Sequence, residues 1–528
     1  MDLRTFLLWI LPACGGGAPI HGPDERMVEG PTVICADPDA RAAAPLSQAT
    51  IGADWPRSGD PVEGGRGIVV ADLSGDGILD LFVPRTAFVS RILLGRGDGT
   101  FEDRTSEALP DGLSDALGAS AADPDGDGDL DLIVYRARSP VVLLLNDGTG
   151  RFAIEPRADW DEGRGGCGGA AAWADVDLDG DLDLFYGRLG LYDRDASPPS
   201  YHPCPSRLLL GDGAGGFTDA SDQLSDEVQL LRVMAAGWHQ IDTDPWPELY
   251  VVTDLPEVLD GARLLDNGPG GLSPLQGTGV EVDLAGMGLA AADLNDDGIT
   301  DFAVPGIDEI AVLRSTGPGQ WIDWSGALGI VPDRARDQSV AWGGVFADLD
   351  NDGALDLPMG YGAIPQSPLR LQPDEIYQNT GAGTFEPVGS AWGFDDTGAT
   401  RGLVVADLDG DGWLDLVKRE LGGPVTVYTA ACGSAHWLGI RLVGPAPNVF
   451  GIGARIEVEL PTGTVSRMIE AGSTGFSSGG PPEAHLGLGT IDQIDEVRIV
   501  WPDGTTTHHP GPEPDRWIEI TSSPDPGG

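Results

Sequence analysis

Six nonapeptides hold most of the chemistry available to this chain. They open at Asp72, Asp123, Asp175, Asp293, Asp348 and Asp407 and read DLSGDGILD, DPDGDGDLD, DVDLDGDLD, DLNDDGITD, DLDNDGALD and DLDGDGWLD. Each puts a side-chain oxygen at positions 1, 3, 5 and 9 and Gly at position 6. Alternating acids on a tight turn aim several oxygens at one centre, which suits a hard cation such as calcium, with its roughly six to eight oxygen ligands. Position 7 would add its backbone carbonyl. An EF-hand needs Glu at position 12 and a following helix. Here position 12 is Val83, Val134, Tyr186, Val304, Met359 or Lys418, and strand-like runs follow. Solvated acidic turns are the bland alternative for any one loop; six loops with the same ligand positions favour metal. Ligands confined to one turn would lock a strand connection, which is a structural role.

A seventh copy is degenerate. In DTDPWPEL from Asp242, Pro245-Trp246-Pro247 replaces the segment carrying the fifth-position ligand and the Gly, and Glu248 stands where the final Asp belongs. No tight calcium is expected there.

The text around the loops recurs about every fifty residues, a period typical of solenoids and propellers. A run of small and apolar residues precedes each loop (GIVVA at 67–71, GLVVA at 402–406) and a β-like run follows it. Next comes an aliphatic run ending in a Gly-rich turn and usually an aromatic, as in ILLGRGDGTF or LLLNDGTGRF. Each unit reads as four short strands, so seven units predict an all-β, seven-bladed β-propeller over 46–430. A strand-like piece near 46–60 has no blade before it. The economical expectation is that it completes the seventh blade and removes a free sheet edge.

These units resemble the FG-GAP (VCBS-type) repeats of integrin α-chain propellers and many bacterial exported proteins. The resemblance implies a calcium loop between the first two strands of each blade. Carried onto this sequence, it implies sites at Asp72, Ser74, Asp76 and Asp80; Asp123, Asp125, Asp127 and Asp131; and Asp175, Asp177, Asp179 and Asp183. The later sites are Asp293, Asn295, Asp297 and Asp301; Asp348, Asp350, Asp352 and Asp356; and Asp407, Asp409, Asp411 and Asp415. Backbone ligands would come from Ile78, Asp129, Asp181, Ile299, Ala354 and Trp413. About six structural calcium ions are expected.

From 436 the texture changes to a small β-rich module ending near 521, followed by a Pro/Gly-rich tail over 522–528. Asn448-x-x-Gly451-x-Gly453-Ala454, Gly487-Leu-Gly489 and Trp501-Pro-Asp-Gly504 together resemble the ASPIC/UnbV domain that commonly follows such propellers, as in the cartilage acidic protein family.

Lys+Arg number 31 against 84 Asp+Glu, a net charge of −53, which argues against nucleic acid as a partner. Residues 1–13 read as a signal peptide: Arg4 precedes an apolar stretch at 6–11 too short to span a bilayer. Leu11-Pro12-Ala13-Cys14 resembles the lipobox of bacterial lipoproteins, which implies lipidation at Cys14 and a linker over 14–45. A plain secretory signal cut nearby is the alternative. The chain is thus expected to be exported and either lipid-anchored at the outer membrane or cell surface, its only link to a membrane, or secreted. Four cysteines remain, and four allow three pairings. Cys167 and Cys204 flank one insertion and are the preferred pair, leaving Cys35 with Cys432 across the middle domain.

No catalytic constellation stands out. Gly475-Phe-Ser477-Ser-Gly479 spells G-x-S-x-G, but Gly480 and two prolines follow where a nucleophile elbow needs a helix. Arg96-Gly97-Asp98 falls in the Gly-rich turn shared by sister repeats. The expectation is a monomeric, non-catalytic, calcium-stabilised propeller that binds a protein or glycan ligand at the cell surface. A calcium-dependent polysaccharide lyase is the enzyme alternative.

Overall fold

The computed structural model describes residues 26–38, 41, 45–55, 66–155, 167–193, 200–242, 244–254, 261–330, 340–364, 372–472 and 476–522. The signal segment with Cys14 and the tail beyond 522 lie outside the described residues.

Among the described residues, seven antiparallel sheets follow one another along the chain, six of four strands and the third of five. The first is Val69–Ala71, Asp80–Val83, Arg91–Gly95 and Phe101–Asp103, each strand paired with the next. Small residues dominate the inner strands, as in Gly168–Ala174 with its Gly-Gly-Ala-Ala-Ala run, because seven inner strands crowd around one axis. Apolar clusters fill the spaces between successive sheets. Ala119, Leu132 and Val134 meet Val69 and Phe82, and Tyr250 and Val252 meet Phe302 and Val304. A further cluster joins the last sheet to the first, through Val404, Val417 and Val427 against Val70, Leu81 and Leu93. The sheets therefore form a closed propeller.

Closure uses the N-terminal part of the chain. Leu46–Ile51 pairs antiparallel with Val425–Ala430 and becomes the outer strand of the seventh sheet, removing its open edge. Disulfides join Cys35 to Cys432 and Cys167 to Cys204.

The C-terminal module has two four-stranded sheets. One runs Gly463–Met468, Arg455–Leu460, Glu496–Val500 and Thr506–Pro510. The other runs Arg26–Glu29, Arg516–Thr521, His436–Val443 and Glu483–Gly489. The reading of 14–45 as a linker is thereby corrected: Arg26–Glu29 is an edge strand of the C-terminal module. Nothing local in RMVE announces this, since its pairing partner lies at the other end of the chain.

Nor is the module a loose appendage. Leu438, Ile456 and Trp501 share one apolar cluster with Trp173, Leu184 and Tyr186 of the third blade. Residues 469–472 and 476–480 enter the propeller. Ala471–Gly472 adds a short fifth strand beside Ala172 and Trp173. Phe476 packs among Met234, Met287, Val340 and Trp342 at the inner ends of three blades. Gly479 bridges Val69, with Val70 N–H donating to Gly479 O at 3.0 Å and Gly479 N–H to Ile68 O at 3.1 Å. A Cβ on Gly67 or Gly118 would strike Ser477, so glycine at these inner positions is what admits the plug.

Candidate metal centre

In five intact loops position 1 directly follows the inner strand and position 9 opens the second, whereas in the sixth an isolated Ala347–Asp356 bridge stands between loop and strands. Positions 4 and 6 are left-handed in all six. Position 6 is always Gly, from Gly77 (φ 84°) to Gly412 (φ 82°). Position 4 is Gly in three loops, but Leu178 (φ 61°), Asp296 (φ 54°) and Asn351 (φ 57°) hold the same conformation. A non-Gly residue there costs on the order of 1 kcal/mol, so the loop shape overrides local preference.

The ligand positions divide the work. Position 1 accepts backbone N–H groups through both oxygens: Asp72 from Asp76 (3.2 Å) and Gly77 (2.8 Å), Asp123 from Gly126 (2.8 Å) and Gly128 (2.9 Å). Position 5 accepts the N–H of position 7, as Asp76 does from Ile78 and Asp411 from Trp413. Position 9 ties the loop to its blade: Asp80 accepts from Leu73 N–H (3.0 Å) and from Gly95 N–H of the third strand (2.7 Å). Asp183, Asp301, Asp356 and Asp415 repeat this double bond.

Position 3 is different. Ser74 Oγ, Asp125 Oδ1, Asn295 Oδ1 and Asp350 Oδ1 are buried oxygens with no hydrogen-bond partner. Leaving such a group unsatisfied costs about 1–3 kcal/mol, and these atoms sit where the loop would surround a cation. Carboxylate oxygens lie within 4.8 Å of one another in Asp123/Asp125/Asp127, Asp175/Asp177/Asp183, Asp348/Asp350/Asp356 and Asp407/Asp409/Asp415. In the first and fifth loops Ser74 and Asn295 take the third position, so fewer carboxylates converge there.

Burial pushes these carboxyls far above their ordinary range. Asp80 and Asp301 rise to about 7, Asp183 to about 8, and Asp131 and Asp356 to about 9. Neighbouring carboxylates add to the rise. A divalent ion reverses this by pairing with the charged form. Asp131 differs from the other final Asp residues in its bonding. Its loop has Pro124 at position 2, which lacks the N–H that Leu73 or Val176 supplies elsewhere. Asp131 Oδ2 is accordingly buried without a partner. The donor set is all oxygen, carries excess negative charge and includes orphaned atoms, so it fits calcium.

The fourth loop departs from the sequence expectation in one respect. It has lost two residues, and proline cannot adopt the left-handed turns. Glu248 nevertheless opens the second strand, as the final Asp does elsewhere, and Asp242, Asp244 and Glu248 still bring carboxylate oxygens within 4.8 Å of one another.

Three cations placed against the loops were not legible in the sequence. Arg41 donates to Leu349 O and Ala431 O between the sixth and seventh loops and lies over Trp413 at 4.3 Å. Arg467, from the C-terminal module, faces Asp348, Asp293 and Asp296, and Arg441 faces Asp407 and Asp72. The module also touches the ligands directly: Ser466 Oγ donates to Asp293 (3.0 Å) and Trp517 Nε1 to Asp407 (3.1 Å).

The other sequence features fall into structural settings. Ser477 of the G-x-S-x-G string is buried at φ 56° and donates to Gly169 O at 3.0 Å inside the propeller; Gly475 lies outside the described residues. Arg96-Gly97-Asp98 forms an exposed turn in which Asp98 accepts the Thr100 N–H at 3.0 Å. His508 meets Glu496 at 3.2 Å on the surface, and His509 is buried.

Comparison with known proteins matches these regions. The FG-GAP-like repeat model aligns with residues 89–134, 123–186 and 370–417, and the ASPIC and UnbV model with 444–526. Cartilage acidic protein 1 of Mus musculus is 25% identical over 545 residues, covering 94% of this chain and 76% of that protein. The Homo sapiens protein of that name is 29% identical over 260 residues, 45% of this chain and 38% of its own length. Among solved structures, an Agrocybe aegerita lectin that recognises non-reducing terminal N-acetylglucosamine aligns with a TM-score of 0.41 at 16% identity, over 70% of this chain and 94% of its own. The extracellular domain of a putative hybrid two-component system from B. thetaiotaomicron aligns at 0.42 and 11% identity, over 75% of this chain and 43% of its own. The chain carries FG-GAP-like repeats followed by an ASPIC and UnbV domain, and it is homologous to cartilage acidic protein 1.

Proposed function

We propose that this FG-GAP propeller with its ASPIC and UnbV domain is an exported, non-catalytic binding module, stabilised by about six calcium ions and presenting its surface to a protein or glycan ligand. The observation that carries the calcium reading is the repeated orphan at position 3: four loops bury an oxygen that no protein donor reaches. Two disulfides support an oxidising destination. The burial of Ser477 against Gly169 supports the non-catalytic reading, because that hydroxyl is spent on holding the plug.

Native mass spectrometry of the calcium-loaded chain, with melting measured in calcium and in EGTA, tests this. About six ions and a lower melting temperature in EGTA are expected. Zero or one ion, or an unchanged melting temperature, overturns it. Turnover of uronate-containing polysaccharides by the purified chain would overturn the non-catalytic assignment.

A further inference from the structure

We infer that the fourth loop, despite its lost spacing, is a seventh cation site of a different kind, with open coordination positions facing the cleft between propeller and C-terminal module. This rests on the reading that the intact loops hold calcium. Those loops set the standard. There, position 1 accepts two or three backbone N–H groups, and the final Asp of five loops has both oxygens satisfied by N–H donors. In the fourth loop Pro245 and Pro247 have no N–H to give. Asp242 accepts one backbone N–H, from Asp244 at 2.9 Å. Glu248 accepts one, from Ile241 at 3.1 Å, through Oε2. Its other oxygen, Oε1, is buried without a hydrogen-bond partner on a side chain that is 0% exposed.

The chemistry follows from what is missing. A hard cation asks for about six to eight oxygens. Asp242, Asp244 and Glu248 supply their carboxylates, and the shortened turn has no Asp at a fifth position to close the shell. Asp242 and Asp244, with Pro245 and Pro247, line a cleft of about 650 Å³ that Met468 and Trp501 of the module also line. The remaining coordination positions thus open onto a space large enough for water or the oxygens of a solute. Asp175 and Asp297 of two intact loops reach the same cleft, but those loops carry an Asp at the fifth position to fill the place left empty here.

The test uses the full chain with calcium, then terbium as a luminescent substitute. The wild-type protein is expected to bind about seven calcium ions, and Glu248→Gln one fewer. Asp409→Asn, in the seventh loop, serves as the intact-loop control and also loses one. Terbium decay in H2O and D2O should report more bound water at the ion lost in Glu248→Gln than at the ion lost in Asp409→Asn. Six ions in both wild type and Glu248→Gln overturn the fourth site and leave the six-loop reading intact. Zero or one ion in the wild type overturns that reading itself. Equal hydration of the two ions refutes the open shell, and if Glu248→Gln does not fold, Asp242→Asn carries the same count.

Discussion

The first and seventh loops share one backbone and live in different surroundings. Around Asp72 the turn is largely solvated: Gly75, Asp76 and Gly77 are exposed, and a Cβ on Gly77 would meet nothing within 4 Å. Around Asp407 the same turn is roofed. Trp437 covers Gly412 so closely that a Cβ there would overlap its ring, His485 Nε2 lies 3.0 Å from Gly412 O, and Trp517 donates to Asp407. The first loop locks one strand connection. The seventh does that and also seats the C-terminal module. An identical local motif therefore differs in energetic weight according to what packs on it.

The largest break in that contrast should come from beneath the seventh loop. Deleting 46–51 removes the outer strand of its sheet and exposes the edge of Val425–Ala430. The expected loss is on the order of 5 kcal/mol, with self-association through the new edge. Calorimetry and sedimentation velocity check both. A monomer that melts like the full chain would mean the seventh blade stands on three strands.

Phe476→Ala acts on the plug that anchors the roofing module in the propeller. It empties a site among Met234, Met287 and Trp342 and should cost about 3–5 kcal/mol. If the module is what separates the two loops, amide exchange at 408–413 should rise toward that at 73–78. Exchange that stays slow would assign the protection to the loop itself.

Asp407→Asn should then cost more than Asp72→Asn, about 2–3 against about 1 kcal/mol, in calcium. The extra loss comes from the Trp517 bond and from burial, since Asp407 is 5% exposed. Equal losses in parallel melts would show that the roof adds nothing.

The smallest effect belongs to the second loop. Pro124→Leu restores the N–H that Asp131 Oδ2 lacks, so the calcium-free protein should gain about 1 kcal/mol. The difference between melts in calcium and in EGTA should narrow accordingly. Equal gains in calcium and in EGTA would show that the ion does not take up the orphaned oxygen.

The loops were legible because their information is local: nine residues specify the turn, and repetition removes chance. Ring closure was legible for a related reason, as one strand was left over when the units were counted. What escaped was long-range and chemically plain. Arg26–Glu29 has no pattern of its own and is defined by Arg516–Thr521. The plug residues 469–472 and 476–480 read as part of a Gly-rich loop until the small residues they meet at Gly67, Gly118 and Gly169 are placed around one axis. In the fourth copy, the prolines correctly signal a broken turn. Spacing could not reveal that Asp242, Asp244 and Glu248 still bring carboxylate oxygens within 4.8 Å of one another.

The lacing of the chain's first strands has a consequence for its manufacture. Leu46–Ile51 leaves the ribosome long before Val425–Ala430, and Arg26–Glu29 long before Arg516–Thr521. Both strands must wait unpaired while six blades are made, and the long loop they close is entropically costly. Folding can advance blade by blade from the first sheet, but it cannot finish until nearly the whole polypeptide is present. Synthesis cut short near residue 430 would leave Arg26–Glu29 without Arg516–Thr521, an unmatched strand.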